Sequence, residues 1–350
     1  MVVTETMGRR TTMDIEWTPT RPGRWLFHCH LSFHVSNEIR LPGAAEADPE
    51  HTHSHMAVLV MGLDIAPGPT DLIARGTPLE IDLHALKYGE EKGLRYGFSF
   101  DPNATGANDT DAPGPVLVLH QYQPADVTVH NQLGVPTGVH WHGLELDSWA
   151  DGVPGWSSSD GKMSPAIEDG ESFTYRLSTL RPGTFIYHSH LDDIDQLTGG
   201  LYGALVVLPE GEVFDPRFDH LMIQGWRTPQ PSGPEDFELN GRREQPDMHA
   251  IVGETHRFRV IDIAPAGVVR AWMLKDGEPI PIRLHAKDGA DLPPHQQVEV
   301  LQLPMMDVGE TADFLWLPTE PGVYELVIGP NLTIGSRQRW IVTERQPGGH

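Results

Sequence analysis

The sequence contains many short runs of alternating apolar and polar residues, and residues typical of turns separate these runs. Examples are DVTVHNQL, RFRVID, FIYHSH and YGALVVL, which are rich in β-branched and aromatic residues. The 36 glycines and 31 prolines are spread along the chain between such runs. Alternation bounded by turns predicts β-strands with one buried face, and few stretches show a helical period. The pattern therefore predicts an all-β protein of the sandwich or barrel type.

One ten-residue phrase occurs twice, as RPGRWLFHCH at 21–30 and as RPGTFIYHSH at 181–190. A third copy, TEPGVYELVIG, aligns with them on the Pro-Gly pair at 321–322. Two residues after the glycine each copy has an aromatic side chain, as expected where a strand packs into a sandwich core: Trp25, Phe185 and Tyr324. Three copies indicate three related β domains.

The spacing within the copies suggests where these domains divide. His140 lies in the earlier half of the second copy, 48 residues before His188. The same offset from His28 falls about twenty residues before residue 1. We therefore expect the last strands of an incomplete domain followed by two complete domains. The expected bounds are 1–66, 67–210 and 211–350.

Charge and composition narrow the possible partners. The chain has 25 Lys and Arg against 49 Asp and Glu, a formal net charge of −24, which argues against nucleic acid and anionic membranes. No stretch has the apolar length of a bilayer helix, and the first residues lack the apolar segment of a signal peptide. The single cysteine excludes an intrachain disulfide, and 19 histidines draw attention to metal binding.

The cysteine lies between two histidines in HCHLSFH, at residues 28–34. Alternate residues of a strand share a face, so His28 and His30 are expected on one face and Cys29 on the other. A thiolate with imidazoles describes a blue-copper centre, and His-x-His pairs on strands offer imidazoles to further metal ions. The sequence therefore predicts one metal site on each side of this strand.

HCHLSFH, HWHG and YHSH resemble three of the four copper motifs of the multicopper oxidases, the family that includes the laccases. The similarity continues through GLYGALVVL and AKDGADLPP and covers most of the chain. The resemblance implies tandem cupredoxin-like Greek-key β-sandwich domains. It also implies up to four copper ions: a type 1 centre that takes electrons from a small reducing substrate, and a type 2 and type 3 cluster that reduces dioxygen to water. A secreted or periplasmic location is implied as well.

Carried over to this sequence, the type 1 ligands would be Cys29 and His34. The axial position follows this loop in the family, but here the loop contains the insertion IRLPGAAEADPEHTHSHMAVLVMG. Matching the strand that follows places the axial residue at Leu59, with Ile39 and Met56 as alternatives. An apolar axial residue favours a higher reduction potential.

The resemblance implies that His140 holds the type 2 copper. The type 3 pair would be held by His28, His30, His142, His188 and His190. Asp151, in WADGVPGW, resembles the acid that the family uses for proton delivery near the type 2 copper. The alternative for Asp151 is a turn-forming role before Gly152.

The family's fourth motif, His-x-x-His-x-His, is absent from the sequence. The repeat spacing places it upstream of residue 1, so we interpret the chain as N-terminally truncated. The missing ligands would belong to a longer chain or to another subunit, or would be lost in a relic that binds copper poorly. The insertion's EHTHSH is expected to be a solvent-exposed loop.

Three functions remain open at this point. The first is a laccase-like oxidase of phenols, aromatic amines or metal ions with dioxygen as acceptor. The second is a non-catalytic copper-binding cupredoxin protein, and the third is a copper nitrite reductase, which lacks the two-sided HCH arrangement. Residues 1–66 are predicted to hold roughly three strands, TTMDIEWTP, RWLFHCH and MAVLVMGLDI. So few strands leave an open sheet edge, which predicts a homo-oligomer.

Overall fold

The computed structural model of the chain describes residues 3–8, 10–31, 59–67, 76–88, 95–105, 114–226, 237–265 and 267–345. The regular structure in these ranges is nearly all strand, apart from a 3-10 turn at Ser148–Ala150 and a π-helical turn at Asp193–Leu197. This confirms the predicted all-β class. Over the same ranges, no helix has the length and apolar character that a bilayer crossing requires.

We refer to three parts of the chain: the N-terminal segment (1–66), the middle region (67–210) and the C-terminal region (211–350). The strands of the N-terminal segment are β1 (Gly23–His28) and β2 (Val60–Ile65). Those of the middle region are β3 (Leu79–Lys87), β4 (Tyr96–Ser99), β5 (Leu117–His120), β6 (Ala125–Gln132), β7 (Val139–His142), β8 (Ser158–Ser159), β9 (Lys162–Met163), β10 (Ser172–Leu177), β11 (Gly183–Ser189) and β12 (Tyr202–Leu208).

The C-terminal region contains β13 (Asp219–Trp226), β14 (Phe237–Leu239), β15 (Met248–Ile251), β16 (His256–Asp262), β17 (Val268–Lys275), β18 (Glu278–Ile280), β19 (Ile282–Lys287), β20 (Ala290–Asp291), β21 (Glu299–Val300), β22 (Met306–Asp307), β23 (Thr311–Trp316), β24 (Gly322–Gly329) and β25 (Ser336–Thr343).

Two pairs of sheets enclose two separate apolar cores. In the middle region the sheets have the strand orders β10-β6-β3-β4 and β5-β12-β11-β7, and Trp141, Tyr175 and Tyr187 are fully buried between them. In the C-terminal region the orders are β14-β13-β16-β23-β19-β20 and β15-β25-β24-β17-β18, around Phe258 and Trp340. The middle and C-terminal regions thus each have a core of their own, and the division of the chain into domains stays a prediction.

The three Pro-Gly copies occupy equivalent structural positions. Strands β1, β11 and β24 each begin at the glycine of the pair. The Trp25 indole donates to the carbonyl of Arg21 at 3.2 Å, and the Tyr324 hydroxyl donates to the carbonyl of Glu320 at 2.9 Å. These two aromatic side chains thus bond to the backbone four residues earlier and close the turn before their strands.

The prediction of a strand at residues 11–19 was wrong. Residues 11–19 are in neither strand nor helix and lie exposed, with the large apolar side chains of Met13, Ile15 and Trp17 in contact with solvent. Alternation alone does not make a strand when no neighbouring strand pairs with it. The described residues of the N-terminal segment therefore form two strands rather than three.

The N-terminal segment is attached to the middle region. Strand β1 pairs with β2 on one side and with β8 on the other, which gives a small sheet of order β2-β1-β8-β9. The Ser148 hydroxyl donates to the carbonyl of Arg24, and Arg21 forms a 3.0 Å ion pair with Asp147. These contacts place the end of β1 opposite β7 and β11.

Candidate metal centre

The ends of β1, β7 and β11 bring six imidazole rings together. Strands β7 and β11 are antiparallel neighbours, and His140 pairs directly with His188, with ring centroids 5.4 Å apart. His30 arrives from the end of β1, and its centroid lies 4.6 Å from that of His142. The rings that meet are those of His28, His30, His140, His142, His188 and His190.

The HCH sequence has the two-sided arrangement expected of a strand. The rings of His28 and His30 stack at 5.1 Å, as residues on one face can do. The amide of Cys29 donates to the carbonyl of Leu59 at 2.9 Å, which continues the pairing of His28 with Val60. Residues directly opposite in an antiparallel pair project to one face, so Leu59 lies on the side of Cys29.

The thiol of Cys29 is partly buried, and burial raises its pKa. The negative charge of Asp307, from the C-terminal region, acts in the same direction. A thiol in such surroundings stays protonated unless a cation stabilises its thiolate.

Several positions of interest lie outside the described residues. These are the predicted ligand His34, the alternative axial residues Ile39 and Met56, and the three histidines of the insertion, His51, His53 and His55. The predicted type 1 ligands whose positions are described are therefore Cys29 and Leu59, and the Leu59 residue is 51% exposed.

The ring orientation of three histidines follows from their hydrogen bonds to backbone carbonyls. Nδ1 of His28 lies 3.0 Å from the carbonyl of Cys29, Nδ1 of His140 2.7 Å from that of Asp151, and Nδ1 of His188 2.7 Å from that of Ser189. A carbonyl oxygen only accepts, so in each ring Nδ1 carries the proton and Nε2 carries the lone pair.

His142 has the opposite orientation. Its Nε2 lies 3.2 Å from the hydroxyl of Thr4, and its Nδ1 is buried with no hydrogen-bond partner in the described part of the chain. Nε2 of His188 is likewise buried and without a partner there. Two unpaired buried nitrogens at one point are unfavourable unless something binds them.

The cluster fits a metal ion. One ligand atom from each of His140, His142 and His188 can be chosen so that all three lie within 4.8 Å of one another. Burial and the neighbouring imidazoles lower the pKa of His30, His142 and His188 well below the usual value. Metals bind the neutral imidazole, so these surroundings favour the ligating form.

Asp151 lies directly beside the cluster. Its carboxylate Oδ1 is 3.6 Å from Nδ1 of His140, and the Ser157 hydroxyl donates to its Oδ2 at 3.3 Å. Burial raises the pKa of Asp151 to about 6. The next residue, Gly152, has φ +94°, and a Cβ there would lie 1.8 Å from the carbonyl oxygen of Val139. Only glycine lets this turn approach β7 closely enough to place Asp151 against His140.

Two contacts around the cluster could not be predicted from any motif in the sequence. Thr4 reaches His142 because the amide of Val3 donates to the carboxylate of Asp288 at 3.2 Å. Gly309, between β22 and β23, packs against the ring of His30. Both depend on how the C-terminal region packs against the rest of the chain, which no motif reveals.

Parts of the chain are similar in sequence to known proteins. Two family models of multicopper oxidase domains match residues 3–60 and 100–212. Laccase ustL of Ustilaginoidea virens is 40% identical over 105 residues, which are 29% of this chain and 15% of that protein. Multicopper oxidase CTB12 of Cercospora beticola is 39% identical over 114 residues, which are 32% of this chain and 16% of that protein. The matched segments span well under two thirds of either relative.

Solved structures show the same fold. The crystal structure of a multicopper oxidase superposes with a TM-score of 0.62 at 18% identity, covering 77% of this chain and 93% of that one. A multi-copper oxidase from Pseudomonas thermotolerans superposes with a TM-score of 0.60 at 23% identity, covering 79% and 66% respectively. The predicted cupredoxin-like architecture is thereby confirmed.

Proposed function

We propose that the chain is a member of the laccase-like multicopper oxidase family and that it is a copper-dependent oxidase that uses dioxygen as electron acceptor. The observation that carries the proposal is the cluster of six histidines directly behind Cys29. The proposed reductants are phenols, aromatic amines or metal ions. Four one-electron oxidations, with four protons, balance the reduction of one dioxygen to two water molecules.

We assign the ligands as the sequence motifs suggest. Cys29 and His34 hold a type 1 copper, with Leu59 at its axial position, and His140 holds the type 2 copper. The type 3 pair is held by His28, His30, His142, His188 and His190. The lone pairs on Nε2 of His28, His140 and His188 and the unpartnered Nδ1 of His142 are the donor atoms that this assignment requires.

Copper at these residues would supply one-electron chemistry, accepting electrons from the substrate and passing them to dioxygen. The chain joins the two sites through covalent bonds, because Cys29 is the backbone neighbour of both His28 and His30. The side chains of His28 and His30 face the cluster, whereas the side chain of Cys29 lies on the opposite face of the strand. This separates the Cys29 side of the strand from the dioxygen-facing side.

Asp151 is the proposed proton carrier. With a pKa of about 6 it can hold a proton near neutral pH, and the hydroxyl of Ser157 orients its carboxyl group. Its backbone carbonyl also fixes the tautomer of His140. Asp151 thus positions a ligand and exchanges protons at the same point of the site.

Self-association is part of the proposal. Phe27 and Met61 are paired across β1 and β2, and together with Leu59 they are about half exposed. An exposed apolar face on a short sheet favours a protein partner. We propose that this partner is a second copy of the chain.

A non-catalytic copper-binding role is the second candidate. It would apply if the six histidines of the cluster were its whole ligand set, because the family implies eight for the dioxygen-reducing cluster. Copper content per chain, measured together with the visible spectrum, separates the two roles. Near four copper ions with a blue band supports the oxidase, one copper ion supports the copper-binding protein, and no bound copper contradicts both.

The double variant His140→Ala with His188→Ala tests the division into two sites. It should abolish dioxygen consumption and keep the blue band, since neither residue is assigned to the type 1 copper. His249→Ala, at an exposed position on β15, is the matched control and should change neither readout. Loss of both the band and the activity in the folded double variant would mean that the two sites are not separate.

A further inference from the structure

A second pair of histidines lies on the sheet of the middle region that does not carry the six-histidine cluster. His84 on β3 and His130 on β6 are paired directly in the parallel register of these strands. Their rings stack with centroids 4.6 Å apart. Their chain neighbours Leu83 and Val129 are fully buried in the core, so both imidazoles lie on the outer face of the sheet.

Asp82 orients one of these rings. It precedes His84 by two residues and so shares its face of the strand. Nε2 of His130 donates to Oδ1 of Asp82 at 2.8 Å. Because the carboxylate accepts this bond, Nε2 carries the proton and the lone pair of His130 is on Nδ1. Such carboxylate–histidine pairs hold metal-ligating imidazoles in place.

His84 supplies a second nitrogen. Its Nδ1 is buried and has no hydrogen-bond partner in the described part of the chain. Burial and the neighbouring His130 lower the pKa of His84, and the carboxylates of Asp82 and Asp101 place negative charge nearby. The side chain is therefore a neutral imidazole in an environment that attracts cations.

We propose that His84 and His130, oriented by Asp82, bind one divalent transition-metal ion of the copper–zinc class at the surface of this sheet. Imidazole donors select such ions, whereas Mg²⁺ and Ca²⁺ prefer oxygen ligands. The side chains of His130 and Asp82 are 34% and 72% exposed, so the ion reaches the site from solvent and can exchange with it. The net charge of −24 raises the local concentration of cations.

Residue-resolved modification tests the site, with Zn²⁺ as the probe and the purified full chain as the sample. Acylation of histidine by diethyl pyrocarbonate, mapped by mass spectrometry, should slow at least tenfold at His84 and His130 when micromolar Zn²⁺ is present. The exposed His249 on β15 is the internal control and should react at an unchanged rate. Equal rates at His84 and His130 with and without Zn²⁺ would overturn the proposal.

Variants give an independent measurement by equilibrium dialysis. His84→Gln and His130→Gln should each lower bound Zn²⁺ by one ion per chain, and Asp82→Asn should weaken that ion's affinity about 10- to 100-fold. His249→Gln should bind the same amount as the parent protein. Circular dichroism establishes that each variant is folded. Folded glutamine variants that bind as much Zn²⁺ as His249→Gln would show that the pair is not a metal site.

Discussion

Replacement of Gly309 by alanine should weaken metal binding even though Gly309 belongs to a region with no assigned copper ligand. Gly309 lies between β22 and β23 with φ +86°. A Cβ at this position would lie 2.8 Å from Nδ1 and 2.9 Å from Cε1 of His30. The added methyl group would therefore press directly on a ring of the cluster.

Two effects add in this variant. The left-handed backbone conformation costs an alanine roughly 1–2 kcal/mol relative to glycine. The contact with His30 must also open to an ordinary separation of 3.4 Å or more, so the ring has to retreat by about 0.6 Å. Metal sites require their ligands within about 0.5 Å of the productive geometry, and His30 already packs against His142. The ring cannot move without disturbing its neighbour.

Gly253→Ala isolates the first effect, so the difference between the two variants measures the second. Gly253 has φ +85°, and a Cβ there would meet nothing within 4 Å. Both variants should lose a few degrees of thermal stability through the backbone term. Only Gly309→Ala should lose copper affinity, by about tenfold or more.

Copper bound after dialysis, measured by mass spectrometry, and thermal unfolding provide the two readouts. Equal copper affinity in the two variants, with equal losses of stability, would refute the reasoning. It would mean that the loop does not hold His30 in place.

Three further predictions concern substitutions, and a fourth concerns the size of the assembly. Cys29→Ser should abolish the blue absorption and leave the β-sheet circular dichroism intact, and colour in the purified variant would contradict the type 1 assignment. In metal-free protein Asp151→Asn should raise the free energy of unfolding at pH 8 by up to about 3 kcal/mol. Burial raises the pKa of Asp151 to about 6, so above that pH the buried carboxylate is ionised and destabilises the fold. This gain in stability should disappear below about pH 4, where the carboxyl group is protonated in both the folded and the unfolded state. Urea unfolding at the two pH values measures the difference. Asp313→Asn should lower the free energy of unfolding by roughly 3–5 kcal/mol, because this buried carboxylate pairs with two arginines. The control Asp215→Asn, at an exposed ion pair, should leave the melting temperature unchanged. Light scattering should show an assembly larger than a monomer, and a monodisperse monomer with four copper ions would contradict self-association.

Much of the architecture can be predicted from local sequence. Alternation, turn residues and the Pro-Gly repeat act over a few neighbouring residues, and they predicted the all-β class and the equivalent strands β1, β11 and β24. The period of a strand also predicted that His28 and His30 would share a face. These features are local because the direction of each side chain follows from the strand's own geometry.

Other features were decided only by tertiary structure. Residues 11–19 alternate like a strand but form none in the structure, since strand formation needs a partner and no described strand pairs with this segment. The motifs indicate six ligand histidines, but they do not indicate which nitrogen of each ring is available to a metal ion. In His142 this nitrogen is Nδ1, whereas in His28, His140 and His188 it is Nε2. That difference arises from Thr4, 138 residues away along the chain.

The same distinction applies to the pair of His84 and His130. Neither residue is part of a recognisable motif, and they are neighbours because the parallel register of β3 and β6 places them side by side. Contacts of Gly309 with His30 likewise depend on how the C-terminal region packs onto the N-terminal segment. Strand periodicity sets the face on which a side chain lies, but the partner it meets there is set by register and packing between segments far apart in sequence.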